Sequence, residues 1–204
     1  DLIKKFITNN PELIVQSVQK MRKKNQRQIS DTHKKNIKKY KNLIFYDNQT
    51  PVIGNPNGDI TIVEFFDYNC GYCKSSLKVI KKLLKEDTNI RFVLKELPIL
   101  TPSSEFAARV ALTSWIYDKT LYEKLHYSFM SMSGKLSKNR VMGIAKSFGV
   151  SEKLMKKKMF SDPVNQILEN NKLLANKLGI SGTPGFIIDT KVIPGAIELS
   201  TFRE

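Results

Sequence analysis

The sequence is short of the residues from which disulfide scaffolds and metal centres are built. It has two cysteines and two histidines among 204 residues. A disulfide scaffold needs more cysteines, spread along the chain, whereas here the pair sits three apart at positions 70 and 73. A structural zinc site needs a second ligand pair, and His33 and His126 are far apart with no acid at ligand spacing. No metal and no cofactor is therefore expected. No apolar run approaches the ~18 residues that would cross a bilayer. The first residues carry no basic-then-apolar leader, which leaves two expectations open: a cytoplasmic chain, or a secreted one whose signal peptide has been removed.

Acids are also scarce, 19 against 34 Lys and Arg, for a net charge of +15. The imbalance concentrates between Lys20 and Lys41, where ten basic residues face one acid, Asp31. Stacking aromatics are not interleaved there; Tyr40 stands alone. Nucleic-acid recognition needs positioning groups as well as charge, so the segment reads as a solvated helix face and nucleic acid is not expected as a partner. The 41% hydrophobic content suits a folded globular chain.

What is present orders itself along the chain. Residues 1–22 predict two short amphipathic helices, with apolar stripes Leu2/Ile3/Phe6/Ile7 and Leu13/Ile14/Val18/Met21. Between them Asn10-Pro11-Glu12 supplies a capping Asn, a first-position Pro and a first-turn acid. Residues 23–41 read as a basic linker, helical in part, with Ser30-Asp31 as a cap. Leu43-Ile44-Phe45-Tyr46 predicts a short strand, and Pro51 to Asp59, with two Gly and two Pro, a turn. Ile60 to Phe66 reads as a central strand, a helix opens at Cys70, and Asn89 to Leu97 alternates as a second strand. Residues 103–178 read as helices, the first opening at Ser103-Ser104-Glu105 and the last at Asp162-Pro163. Gly185–Asp189 and Lys191–Ile193 predict two antiparallel strands, and a final helix starts near Glu198. This order is that of an α/β thioredoxin sheet with helices inserted in its middle. The domain reading is a stalk and linker over 1–41, a thioredoxin part over 42–100, an inserted helical domain over 101–178 and a second thioredoxin part over 179–204.

The chemistry centres on Cys70-Gly71-Tyr72-Cys73, between a strand and a helix. A thiolate at a helix N-terminus faces free N–H groups and the positive end of the dipole, so its pKa falls. Cys70 is then the attacking thiol and Cys73, one turn on, the resolving one. An inert structural disulfide is the alternative, although so short a loop contributes little chain-entropy stabilisation. Glu64 sits in an apolar strand six residues before Cys70. If buried, it would have a raised pKa and could shuttle the Cys73 proton; if at the strand's end, it would point to solvent. Thr183-Pro184, in a Gly-rich turn before a strand, fits either a cis or an ordinary trans bond.

Glu64-Phe65-Phe66-Asp67-Tyr68, Cys70-Gly71-Tyr72-Cys73 and Gly182-Thr183-Pro184, in this order, resemble the DsbA-like thiol–disulfide oxidoreductases over roughly residues 42–204. The resemblance implies that Cys70 is the nucleophile, Cys73 the resolving cysteine, Glu64 the buried acid and Thr183-Pro184 a cis-proline loop. The archetypal oxidase has Pro-His between its cysteines and Val before the proline. Gly71-Tyr72 and Thr183 instead are similar to the isomerase DsbC and to the ScsC-type proteins. In the latter an N-terminal helical stalk makes a trimer, which residues 1–41 loosely resemble.

The expectation is a periplasmic disulfide isomerase or reductase, homotrimeric through its stalk. Cys70, Cys73 and Glu64 would be catalytic, and Thr183, Pro184, Gly71 and Tyr72 would contact substrate. Its clients would be misfolded or reduced secreted proteins, and a membrane thiol reductase of the DsbD or ScsB kind would keep it reduced. The alternatives are a monomeric DsbA-like oxidase that introduces disulfides, and a chaperone-like binding protein with vestigial thiols.

Overall fold

A computed structural model describes residues 2–202. At its centre lies a five-stranded sheet in the order β1-β3-β2-β4-β5. The strands are β1 Val52–Gly54, β2 Ile60–Phe66, β3 Ile90–Glu96, β4 Gly185–Ile188 and β5 Lys191–Pro194. β2 and β3 run parallel, and the other neighbours are antiparallel. A parallel pair needs a crossover, which α4 (Gly71–Glu86) supplies. Between β3 and β4 come α5 (Pro102–Tyr117), α6 (Lys119–Ser131), α7 (Lys138–Ser147), α8 (Glu152–Lys158) and α9 (Asp162–Lys177). This is the thioredoxin fold with a helical insertion that the element order predicts.

The period-two alternation of the strands divides the core. Ile62, Phe66, Phe92, Leu94 and Phe186 pack on one face with Leu77, Ile80 and Leu83 of α4 and Tyr122, Leu125 and Phe129 of α6. Val63, Phe65, Val93 and Ile187 pack on the other face with Leu174 and Ala175 of α9 and with Ile37, Ile44 and Phe45. Glu64 lies between Ile62 and Phe66 on β2, so its side belongs to the first face, the one α4 covers.

The N-terminal region departs from the sequence reading. α1 (Leu2–Asn9) is followed by α2 (Pro11–Lys39), one helix of 29 residues that runs through the segment read as a linker. Its Lys, Arg and Gln are good helix formers, so high charge alone does not break it. Ser30 and Asp31 lie in its middle and cap nothing. Asn10 does not cap α2 with its side chain either; its Nδ2 donates back to Phe6 O at 2.8 Å. The last turns of α2 are anchored on the sheet: Ile37 is buried, and Asn36 Nδ2 donates to Lys177 O at 2.6 Å.

Leu43 to Tyr46 do not form a strand. Lys41–Phe45 is a short helix, α3, which buries Ile44 and Phe45 under the sheet. A helix end leaves carbonyls without partners, and cations favour that end. Two cations from β3 fill these positions: Lys95 Nζ donates to Leu43 O at 2.8 Å and Arg91 Nη1 to Phe45 O at 2.7 Å. Burial lowers the Lys95 ammonium to about 8 despite the nearby Asp47. The stretch read as a turn contains the three-residue β1, and α5 starts at Pro102 with Thr101, not Ser103, as its cap. Near the C-terminus, Leu199–Phe202 is a 3-10 turn; Arg203 and Glu204, which the expected final helix included, lie outside the described residues.

Because Ile37 belongs to the sheet's core, Ile37→Ala should destabilise the protein by about 2–5 kcal/mol. Ile29→Ala, at an exposed position of the same helix, should stay within about 0.5 kcal/mol. Urea unfolding of both variants measures this; equal effects would contradict the anchoring of α2.

Candidate active site

The end of β2 delivers the loop that presents Cys70, and its side chains fix that loop. Asp67 accepts from Asn69 N through Oδ1 at 2.7 Å and from Leu100 N through Oδ2 at 3.0 Å. Asn69 donates to Thr101 Oγ1 at 2.9 Å and accepts from Leu136 N at 2.7 Å. Cys70 then takes the N-cap position of α4, with extended backbone, and its Sγ accepts from Cys73 N at 3.2 Å. A thiol thus occupies the place usually held by a Ser or Asp oxygen.

Both thiols are free, and their environments push them apart. The Cys70 thiol is lowered to about 6, first by hydrogen bonding to the Cys73 side chain, then by Thr183 and the backbone N–H groups of Cys73 and Tyr72, against the cost of partial burial. Burial pushes the Cys73 thiol far up, reinforced by its bond to Cys70 and by the charge of Glu64. At neutral pH Cys70 is therefore the thiolate and Cys73 the thiol. Gly71 and Tyr72 form the first turn between them. A Cβ on Gly71 would meet nothing within 4 Å, and Tyr72 is 72% exposed, so this turn presents open surface beside Cys70.

The segment 182–185 comes back across this surface. The Thr183-Pro184 bond is cis. Thr183 O lies 3.1 Å from Cys70 Sγ, and Pro184 O accepts from Gly195 N at 2.8 Å. Gly185 has no side chain for a reason: a Cβ there would come within 2.8 Å of Ile180 Cγ2. His33 of α2 shares a groove with Thr183 and Pro184, so the long N-terminal helix reaches this loop.

Glu64 is fully buried, which settles the solvent-facing alternative against itself. Neither of its oxygens has a hydrogen-bond partner among the described residues. Burial first, and then the charge of Cys70, hold its carboxyl well above the usual range. A protonated acid is the form such a site tolerates.

Sequence reasoning missed the rest of the buried polar groups here. Glu96, Tyr68, Tyr122 and His126 form a cluster under the site: Tyr68 OH and Tyr122 OH each donate to Glu96 Oε1 at 3.0 Å, and Tyr68 OH lies 3.3 Å from His126 Nδ1. Glu96 carried the signal that drew attention to Glu64, an acid in an apolar strand, but His126 and Tyr122 become neighbours only through the fold. Lys74, next to Cys73, donates to Met132 O at 2.8 Å and Gly134 O at 2.7 Å and so ties α4 to the insertion.

The family described as DSBA-like thioredoxin domain matches residues 61–204. Among solved structures, the thiol-disulfide exchange protein alpha-DsbA2 of Wolbachia pipientis is 32% identical, covering 85% of this chain and 94% of that one, with a TM-score of 0.79. A periplasmic thioredoxin-like protein of Salmonella enterica serovar Typhimurium is 28% identical over 79% of this chain and 90% of that one, with a TM-score of 0.73. Proteus mirabilis ScsC in a transitional conformation is 26% identical and covers 99% of this chain and 90% of that one, with a TM-score of 0.77. The chain spans only 21% of the curated Na(+)/H(+) antiporter NhaA 1 of Salinispora arenicola, to which it is 24% identical over 140 residues. Among the described residues no helix is long and apolar enough to cross a membrane.

The Cys70 environment makes a pH prediction. Because its folded pKa is depressed, the reduced state gains stability that is complete above the ordinary thiol range and is lost as pH falls through about 6. In Cys73→Ser, the alkylation rate of Cys70 should rise with pH around a low midpoint. A midpoint at or above the free-thiol value of ~8.5 would contradict the geometry.

Proposed function

The chain belongs to the DsbA-like thioredoxin family of thiol–disulfide oxidoreductases, and from that premise we propose that it is a periplasmic disulfide isomerase and reductase acting as a homotrimer. The observation that carries the chemistry is the Cys70 sulfur at the α4 N-cap, 3.1 Å from the carbonyl of Thr183. A substrate chain lying along the Thr183-Pro184 loop would bring its disulfide onto this thiolate.

Cys70 attacks one substrate sulfur; the substrate S–S bond breaks, a mixed disulfide forms, and the other substrate sulfur leaves as a thiolate. In isomerisation another substrate thiolate attacks the substrate sulfur of the mixed disulfide and releases Cys70, with no net electron transfer. In reduction Cys73 attacks the Cys70 sulfur and its proton passes to the departing substrate sulfur, which frees the substrate as a dithiol. The enzyme is then oxidised. A membrane thiol reductase of the DsbD or ScsB kind returns the two electrons, and misfolded secreted proteins are the clients. Gly71-Tyr72 and Thr183, the residues in which this chain resembles isomerases, support the reading.

The N-terminal helices support the assembly. α1 has no buried residue, and Leu2, Ile3, Phe6, Leu13, Ile14 and Val15 all face outward. A helix as short as α1 gains most of its stability by packing an apolar face, and none of its described residues is buried within one chain. Three-fold association would cover those faces and place three Cys70 thiolates around one client at high effective concentration. The periplasmic assignment rests on the likeness to relatives of that compartment and on thiol chemistry suited to it.

One observation favours a second reading. A thiolate stabilised to about 6 favours the reduced enzyme, which makes the disulfide form an oxidant. On that reading the protein introduces disulfides as a monomeric oxidase.

Refolding of scrambled ribonuclease and oxidation of reduced ribonuclease, run on one sample with its molar mass, separates the two. The isomerase reading expects three times the 23.3 kDa chain mass and unscrambling that exceeds oxidation. Ile3→Glu/Phe6→Glu/Ile14→Glu should then be monomeric, keep Cys70 reactivity and lose unscrambling roughly tenfold or more. A monomeric parent that only oxidises would establish the second reading. A monomeric variant that unscrambles as well as the parent would remove assembly from the mechanism.

A further inference from the structure

The buried cluster beside the cysteines contains a second carboxyl that the exchange chemistry above does not use. Glu64 pairs with Leu94 across the parallel β2–β3 ladder, and Glu96 lies two residues beyond Leu94. Side chains two apart on a strand share a face, so the two acids are diagonal neighbours on the face that α4 covers. Both are buried; burial raises the Glu96 carboxyl first, and the charges of Asp67 and Glu64 add to it. Among the described residues neither has a salt bridge.

Among the described residues, the charges that act on the pair are anionic. Around the pair lie Cys70 and Cys73 at the start of α4, Asp67 and Tyr68 from the preceding loop, and Tyr122 and His126 from α6, while Asn171 of α9 donates through Nδ2 to the Glu96 backbone carbonyl at 3.0 Å. His126 is no counter-cation, because burial, with the charge of Lys81 as the lesser cause, lowers it to about 3. Two carboxyls that share so dry a site do not both ionise readily.

The hydrogen bonds are not shared equally. Glu96 Oε1 accepts from both Tyr68 OH and Tyr122 OH, bonds that favour its ionised form, whereas neither Glu64 oxygen has a donor. We propose that Glu96 is a positioning residue for the exchange reaction: gripped by Tyr68 and Tyr122, it takes the first negative charge of the two-carboxyl site and so keeps Glu64 protonated beside Cys73. Unequal environments that separate two acids in this way divide their roles. Glu64 is then the proton donor when Cys73 leaves as a thiolate during reduction of the enzyme. Because Tyr122 lies on α6, the inserted helices contribute directly to this arrangement. The inference rests on the reading of Glu64 as the acid that serves Cys73.

Carbon-13 carboxyl NMR of the reduced, glutamate-labelled full chain tests it, with Glu64→Gln and Glu96→Gln assigning the two resonances. In the parent, Glu96 should lose its proton first. Glu96→Gln keeps an acceptor for both phenols and removes only the charge, so the Glu64 midpoint should fall by about one pH unit or more. An unchanged Glu64 midpoint in folded Glu96→Gln, or Glu64 ionising first in the parent, would overturn the proposal. If Glu96→Gln does not fold, Tyr122→Phe decides: losing one donor should raise the Glu96 midpoint and narrow the gap to Glu64, and an unaltered gap overturns it. The rate at which an added thiol reduces the Cys70–Cys73 disulfide, measured in Glu64→Gln, is a separate readout. No slowing there would remove Glu64 from the reaction while leaving the carboxyl coupling measured.

Discussion

The structure depends on the placement of one sulfur. Cys70 Sγ sits where a capping oxygen would sit, between the Cys73 N–H at 3.2 Å and the Thr183 carbonyl at 3.1 Å. The helix end supplies the donor that makes a thiolate stable, and the returning loop supplies the wall against which a substrate chain would lie. The parallel β2–β3 pair exists to launch α4 from this point, and Asp67 and Asn69 fix the turn that joins them. Below, a dry face of the sheet holds Cys73 as a thiol and Glu64 as an acid. Reactivity above and protonation below are thus set by the same few ångströms of packing.

Much of this is legible in the residues. The β-branched and aromatic run Ile60–Phe66 fixes β2 and the opening of a helix at the cysteine pair gives α4; the apolar pairs after Pro184 give β4 and β5. The failures share a cause, which is that tertiary partners decide marginal segments. Leu43–Phe45 has strand-like composition, yet Lys95 and Arg91 supply the cations that complete a helix end there. Residues 23–39 look like a linker because they are polar, yet nothing in them breaks a helix. Glu64 is buried because helices cover both faces of the sheet at β2, and a single strand pattern leaves that open. The Glu96 cluster needed the inserted helix α6 to bring Tyr122 and His126 to the sheet.

The continuous α2 changes how the N-terminal region acts. A mobile linker would let catalytic domains swing independently. Here the helix that carries the exposed apolar stripe ends in the hydrophobic core, through Ile37, and meets the carbonyl of Lys177 through Asn36. Its His33 stands at the groove behind Thr183 and Pro184. Whatever covers the apolar faces of α1 and α2 would thereby hold the reactive sulfur at a defined distance and orientation.

The central claim is that Cys70 attacks a substrate disulfide and Cys73 resolves the product. Intact-mass analysis of Cys73→Ser after incubation with scrambled ribonuclease tests it most directly, because the resolving step is blocked and the intermediate accumulates. The account predicts one ribonuclease joined to each reacting chain through Cys70, released by reductant, and no adduct with Cys70→Ser. An adduct of equal yield in Cys70→Ser, or none with Cys73→Ser, would contradict it.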